Sequence, residues 1–491
     1  MKRLFILFFT CLFAVSLNAQ KDTAFIYTFG GEQDEQGRDI ELTADSGFIM
    51  VGATSSFGNG NSDIYLVKVD SNIKYEWSRA IGHFHLEFGH AVKQTKDGGY
   101  IICGYSNSKG NGSYDGYLVR TDDTGAVVWE KYYGGFDWDK FYDVELTPDG
   151  GFMLVGETNS FGAGDADAWI VKTDSLGTIE WERFMGGKKK DIAHALISTK
   201  DGNYAFCGEN TSKNDTTKGD AWLVKFDGSG KVQFDVTHQK PEYEITNDLC
   251  ETSDSGLVLI GTTQSYNYPI EDIIEIKYNS EGIFIWEVPH GGVWISANKN
   301  DGGKSISEFS DGNLYFNGYS STFGNGEAGM YISKTDKNGQ YISAPSFGAL
   351  GIEKGYSLIE ANGAILSFGT TSSYGFNYTD FYLVKFDTVD LVSNYSLVVQ
   401  ENNDVTLNRP LNIENYQNQG KYSIHPNPLT GNVLNINSRG TVNDYSSITL
   451  YNAQGAKLPI TMNNQTIETP VLSKGLYILQ IENEIFKIVK E

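Results

Sequence analysis

A spacing constrains this chain more than any single motif does. A glycine set in an apolar run falls at Gly52, Gly104, Gly156, Gly208, Gly261, Gly318 and Gly369, at intervals of 52, 52, 52, 53, 57 and 51 residues. Each copy holds four strand-like pieces. In the second copy they read "FGHAVKQT", "GGYIICGYS", "DGYLVRTD" and "AVVWEKYY". Helical periodicity is absent, and clusters of Gly, Asp and Asn break the pieces apart. One such unit cannot bury both its faces alone, so successive units must pack on one another. Seven units of four strands predict an all-β chain folded as a seven-bladed β-propeller.

The turns and the outer strand fit that reading. Asp-Gly pairs at Asp97-Gly98, Asp149-Gly150 and Asp201-Gly202 mark tight turns, because glycine enters positive φ without steric cost. A second turn of D-x-x-G type spans Asp122–Gly125, Asp174–Gly177 and Asp227–Gly230. The fourth strand carries a large ring at one fixed position, Trp77, Trp129, Trp181, Phe234 and Trp286, which suits packing of blade on blade. The ends predict how the ring closes. The seventh copy lacks its fourth strand, and an orphan near the N-terminus, "AFIYTFGG", aligns with that strand so that Phe25 takes the ring slot. One strand from the start would complete the last blade and remove a free edge. The ring region as a whole is similar to bacterial propeller repeats of the quinoprotein-like kind. That resemblance implies architecture and docking of blades through the turn-glycine and tryptophan; it brings no quinone site.

Composition sets the compartment. The N-terminal stretch "MKRLFILFFTCLFAVSLNAQ" has a basic start, a short apolar run and a small-residue ending, so residues 1–19 read as a signal peptide. No later segment is apolar enough to predict a transmembrane helix. Cys103, Cys207 and Cys250 remain, too few for a disulfide framework; Cys103 and Cys207 stand where other copies carry Val51, Val155, Ile260 and Phe368 and read as core residues. The formal net charge of −24 makes nucleic acid an unsuitable partner.

After the ring, taken as residues 20–390, residues 391–421 are rich in Asn and Gln and read as a linker with one strand in it. Residues 422–491 alternate as short strands with turn signals, a small β-sandwich. This segment resembles the type A C-terminal sorting domain of the type IX secretion system of Bacteroidota. The matching residues are Pro426, Asn427, Pro428 and Gly431, the hairpin ending on Gly455, then Gly475 and Tyr477, and the basic tail with Lys487 and Lys490. The resemblance implies export through the inner membrane, recognition by the type IX machinery at the outer membrane, and a secreted or cell-surface location.

No phosphate loop, zinc motif or nucleophile elbow is present, and no catalytic residue can be assigned. Asp137, Asp139 and His194 lie near the expected channel mouth but do not form a pair that sequence can define. No metal ligand set or cofactor is expected. The loops ending on Asp63, Asp115, Asp167, Asp220, Asp272 and Asp380 admit calcium, yet each offers only one or two carboxylates, and an aspartate capping its own turn explains them better. The informative residues are those that vary between copies. If the tryptophan strand is outermost, the "HAVKQT" strand lines the axis. Its leading position then reads Arg38, His90, Tyr142, His194, Asn247, Lys304 and Tyr356 around the channel mouth, with Trp138 and Trp294 in the loops above. A constant frame with one variable face predicts a binding surface for a glycan, peptide or protein. The alternative is a secreted polysaccharide-degrading enzyme with its site at the same mouth.

Overall fold

The computed structural model describes residues 23–490 except 214–217, 267–268, 292–299, 323–326, 376–377, 387–395, 402–421, 426–432, 439–447, 453–456, 464–465, 473–474 and 482–483. The signal peptide, Trp294, Pro426, Asn427, Pro428, Gly431 and Gly455 therefore lie outside the described residues. The chain divides into two compact units, residues 1–410 and 411–491.

The first unit is the seven-bladed ring. Six blades are hairpin-linked antiparallel sheets in sequence order, beginning with Glu35–Leu42, Phe48–Thr54, Asp63–Val69 and Tyr75–Ile81. The seventh is built from both ends of the ring: Glu353–Ala361, Ala364–Thr371 and Asp380–Phe386 are joined antiparallel by Thr23–Phe29. Phe25 pairs with Lys385 just as Trp129 pairs with Arg120, which is the register the sequence predicts. A fifth strand, Ser396–Glu401, runs parallel to Thr23–Phe29 and covers the outer edge of that blade.

Middle strands are buried on both faces, so they read as nearly unbroken apolar runs rather than alternations. Cys103 and Cys207 are fully buried in two of these inter-blade cores, and burial pushes both thiols up.

The outer-strand rings lock each blade to the next. A Cβ on the turn glycine of one blade would lie within 2.6–3.0 Å of the ring of the blade before: Gly125 under Trp77, Gly177 under Trp129, Gly230 under Trp181, Gly282 under Phe234 and Gly339 under Trp286. These glycines also hold φ between 73° and 77°, so both backbone and space demand glycine. The first blade departs from this, because the ring before it is the smaller Phe25. Ile73 holds the glycine position there at φ 64°, buried in the same cluster as Phe25. We expect Trp129→Ala to lower stability by about 2–3 kcal/mol, since a half-buried indole and its seat are lost together. A shift in denaturation midpoint measures it; no shift would mean the ring is not a lock.

A second device recurs in six blades at the same end as these turns, where a cation on the third strand, paired across to the outer-strand ring position, meets an aspartate in the first turn. The pairs are Lys68–Asp45, Arg120–Asp97, Lys172–Asp149, Lys225–Asp201, Lys277–Asp254 and Lys334–Asp311. Partial burial alone would raise Asp45, but hydrogen bonds from Thr43, Lys68 and Gly47 hold it down at about 2, and Asp254 and Asp311 are held likewise. Other carboxyls move the other way. Burial lifts Asp63, Asp248 and Asp272 to about 6, and Glu41 and Glu244 to about 7. The depressed group stabilises the fold above the unfolded carboxyl pKa of ~4 and loses that contribution as pH falls toward 2. The raised group favours the fold below ~4 and loses its contribution as pH climbs through 6 to 7. The thermal midpoint is therefore expected to be higher near pH ~5 than near pH ~8, and to drop again below ~3. A midpoint that rises steadily from pH ~5 to ~8 would contradict this assignment.

The C-terminal unit contains two four-stranded sheets, one ordered Tyr422–His425, Val433–Ser438, Thr466–Glu468, Thr461–Asn463 and the other Lys457–Leu458, Ile448–Asn452, Gly475–Ile481, Glu484–Lys490. Gly475 pairs with Lys490 and Ile478 with Lys487 in the last hairpin, and Tyr477 is buried.

Candidate binding site at the channel mouth

The seven variable residues reach the axis through one repeated backbone irregularity. In every blade the innermost strand bulges opposite the strand glycine. Phe141 pairs with Gly156 and Asp143 with Val155, which leaves Tyr142 as the extra residue. The same shift leaves Arg38, His90, His194, Asn247, Lys304 and Tyr356 unpaired in their blades. A bulge bends its strand and re-aims the side chain it carries. The glycine opposite is what makes room: a Cβ on any of the seven would sit 1.8–1.9 Å from a carbonyl oxygen of the bulged strand.

All seven residues line one cavity of about 800 Å³ along the ring axis. They touch in sequence around it. The Arg38 guanidinium lies 4.2 Å from the Tyr356 ring centroid and 4.9 Å from that of Phe88. His90 meets Tyr142 edge-on at 5.0 Å, and Tyr142 meets His194 at 5.9 Å. His194 Nδ1 donates to the Thr246 carbonyl at 2.9 Å, and Lys304 donates to Asn247 Oδ1 at 3.1 Å. Burial holds both histidines neutral, lowering His194 to about 4, with nearby cations adding to the effect. Burial also lowers Lys304 to about 8, helped by Arg38 and Lys354.

One residue further along, the strands carry a latch the sequence reading missed. Asp39 accepts from Val92 N, Asp143 from Leu196 N and Asp248 from Ile306 N, each bonding the backbone of the next blade at 2.7–3.0 Å. Only alternate blades contribute an aspartate; Ala91, Ala195, Ser305 and Ser357 fill the other places. The deeper channel holds Lys93 between Glu41 and Glu145, at 3.4 and 3.5 Å.

Trp138 stands outside this cavity, on the loop above it and half-exposed. It connects to the ring of seven through a chain of aromatic contacts. His90 approaches Tyr105 at 5.6 Å, Tyr105 meets Tyr114 at 5.4 Å, and Tyr114 meets Trp138 at 5.6 Å. Lys140 lies within 6 Å of the last three rings. The loop tips add Phe84, 82% exposed, and Phe136, 91% exposed, which no sequence argument had singled out. Their equivalent placement, two residues after the glycine that ends each outer strand, was the available signal.

The other candidates separate. Asp139 is fully buried and bonds Ser160 Oγ and Gly135 N, so it serves its loop. Asp137 is exposed in its loop, with its backbone N–H donating to Ser160 Oγ. His83, in the loop before the strand that carries His90, pairs with Glu130, while His90 lines the channel. Asp63, Asp115 and Asp167 each accept two backbone N–H groups of their own loop, the capping role expected from the turn chemistry. Among the described residues no group of three or more His, Cys, Asp or Glu side chains converges as a metal site requires. No helix among them is long and apolar enough to cross a membrane.

Residues 423–491 match the secretion system C-terminal sorting domain family. The chain ends in a secretion sorting domain. Type IX secretion thus carries the protein to the cell surface or out of the cell, and the sorting domain is its point of contact with the secretion machinery. No curated protein matches the chain in sequence. Similar solved structures include a protein of unknown function from Dyadobacter fermentans, 11% identical over 74% of this chain and 98% of that one, with a TM-score of 0.44. The Pan2 WD40 domain of Neurospora crassa is 11% identical over 74% and 92%, with a TM-score of 0.43. The propeller domain of a trilobed protease from Pyrococcus furiosus is 11% identical over 74% and 96%, with a TM-score of 0.41. None of them bears on what this sorting-domain protein binds.

Proposed function

We propose that this exported propeller is a binding scaffold, and that it takes a glycan, peptide or protein at the channel mouth. One observation carries the reading. Seven equivalent bulges present seven positions to one cavity with five different side-chain types, while the glycines opposite them are all alike. A rigid frame that changes only where it faces solvent is the arrangement of a recognition surface. The nearly bare rings of Phe84 and Phe136 extend that surface over the rim, where large exposed apolar groups mark contact sites. The test is a glycan array, with a pull-down from the native cell surface, using the wild type and a His90→Ala/Trp138→Ala double variant. Binding lost by the double variant is the expected result, and undiminished binding removes the proposed face.

A second reading, a polysaccharide-degrading enzyme, draws on the perturbed groups in the same cavity. Neutral His194 meets Tyr142 and lies within reach of the Lys304 charge, and Lys304 is itself lowered to about 8, which is the company a proton-transferring site keeps. Release of new sugar ends from a polysaccharide, lost in His194→Ala, would favour it over simple binding.

A further inference from the structure

Charge is distributed unevenly around the mouth. The chain as a whole is strongly acidic, and most cations near the channel are neutralised: Lys140 by Glu157, Lys190 by Glu209, Lys93 by two glutamates. Three cations at the mouth, on three consecutive blades, are not; Lys200, past the far end of its innermost strand, also lacks a carboxylate partner among the described residues and bonds the Thr252 carbonyl. Lys304 of the sixth blade, Lys354 of the seventh and Arg38 of the first form no ion pair among the described residues. Their contacts are neutral. Lys304 reaches Asn247 Oδ1, Lys354 lies 4.7 Å from the Tyr319 ring, and Arg38 stacks on two rings with one long bond to Gln36 Oε1. The Arg38 Nε is buried with no hydrogen-bond partner. Glu271 lies close enough for its charge to act on Lys304 but forms no ion pair with it. Like charges held together out of bulk water repel unless an anion sits among them.

The arc on the second and third blades is aromatic, and the Lys140 within it is paired with Glu157. The chain from His90 through Tyr105 and Tyr114 to Trp138, crowned by Phe84 and Phe136, offers flat apolar faces rising from the channel to the rim. A pyranose has apolar C–H faces that lie on such rings, and an acidic sugar carries its charge at the ring edge. An acidic peptide would use the cations but has no comparable need of a ladder of bare rings.

We propose that the mouth recognises an acidic glycan, with Arg38, Lys304 and Lys354 holding a carboxylate or sulfate ester while the aromatic arc stacks the neighbouring sugars. This rests on the channel mouth being the binding face and adds the ligand's chemistry to it.

The experiment measures binding of the full-length mature protein to four soluble polymers: polygalacturonate for the carboxylate, dextran sulfate for the sulfate ester, dextran as the neutral sugar, and poly-L-glutamate as the acidic peptide. Binding to one or both acidic glycans, with dextran and polyglutamate at least tenfold weaker, is expected, and the tighter of the two names the acidic group. Affinity should fall as salt rises. Lys354→Gln and Lys304→Gln should each weaken acidic-glycan binding about tenfold, the loss of one charged contact, while the exposed outer-turn variant Lys231→Gln leaves it unchanged. Arg38→Lys keeps the charge and should stay within a few-fold of wild type, and unchanged melting of each variant separates lost contact from lost fold. Equal binding of dextran, polyglutamate binding as tight as the glycans, or cation variants that bind like wild type would each overturn the proposal. Neutral-sugar binding that Trp138→Ala abolishes and Lys354→Gln spares would overturn the acidic-group assignment but leave the binding face intact. Acidic-glycan binding that ignores both variants would remove the face itself.

Discussion

A chain lacking residues 423–491 is expected to be made, to fold and to remain inside the cell, falling to background at the surface and in the medium. The matched sorting domain is the address, and the ring does not depend on it for closure. Both strands that finish the last blade, Thr23–Phe29 and Ser396–Glu401, lie in the unit that ends at residue 410. The truncated protein should therefore melt as a cooperative ring while its location changes completely. Cell fractionation with detection of the ring measures the first effect, and thermal melting of the purified truncated chain measures the second. Wild-type amounts outside the cell would refute the assignment of the sorting domain. A truncated chain that is retained but unfolded would leave the export result uninterpretable, which is why the cut belongs after residue 410 and not before Ser396.

Gly156→Ala, like the same change at the six equivalent strand glycines, should be among the most damaging single methyls in the ring, costing about 3 kcal/mol or more. Its Cβ would fall 1.9 Å from the Lys140 carbonyl oxygen, with the Lys140 carbonyl carbon and the Phe141 Cα next at 2.8 and 2.9 Å. Every one of these atoms is backbone, so no side-chain rotation relieves the clash. The strand Asp139–Leu146 can only move away, and doing so undoes the bulge that turns Tyr142 into the channel. Stability and the shape of the mouth should fail together. Gly150→Ala is the informative contrast: nothing lies within 4 Å of its Cβ, and only the φ of 88° penalises it. That substitution is expected to cost about 1 kcal/mol. Denaturation midpoints of the two variants should differ widely, and equal midpoints would mean that the strand glycine is not what seats the bulge.

Much of the frame is legible in the sequence. The four-piece repeat predicted seven blades, the orphan "AFIYTFGG" predicted the closing strand down to the register of Phe25, and the Asp-rich loop ends predicted caps. The seven channel residues were also identifiable, because copies that agree elsewhere disagree there. The strand glycine was visible as an anchor, but its task was not: nothing in one strand announces that its partner bulges. The alternate latch of Asp39, Asp143 and Asp248 escaped for a similar reason. An aspartate beside a variable position looks solvent-exposed until the next blade's N–H is found 2.7–3.0 Å away. Lys354 escaped too, since a lysine two residues before a ring position is unremarkable in a chain with many lysines.

What the sequence determined by itself is everything written in contiguous residues: how many blades there are, where each turn falls, which strand closes the circle, and that the protein carries an export address. Local patterning encodes these because a strand, a turn and a sorting module are each specified by neighbours along the chain. What the tertiary structure alone decided is which of the varied residues share one cavity, which cations there lack a counter-charge, and which rings form a continuous path from His90 to Trp138. Those properties are distances between residues on different strands and blades, not neighbours along the chain. Coulombic energy falls with the separation of the charges and stacking needs rings in near contact, so only the closed ring can set them.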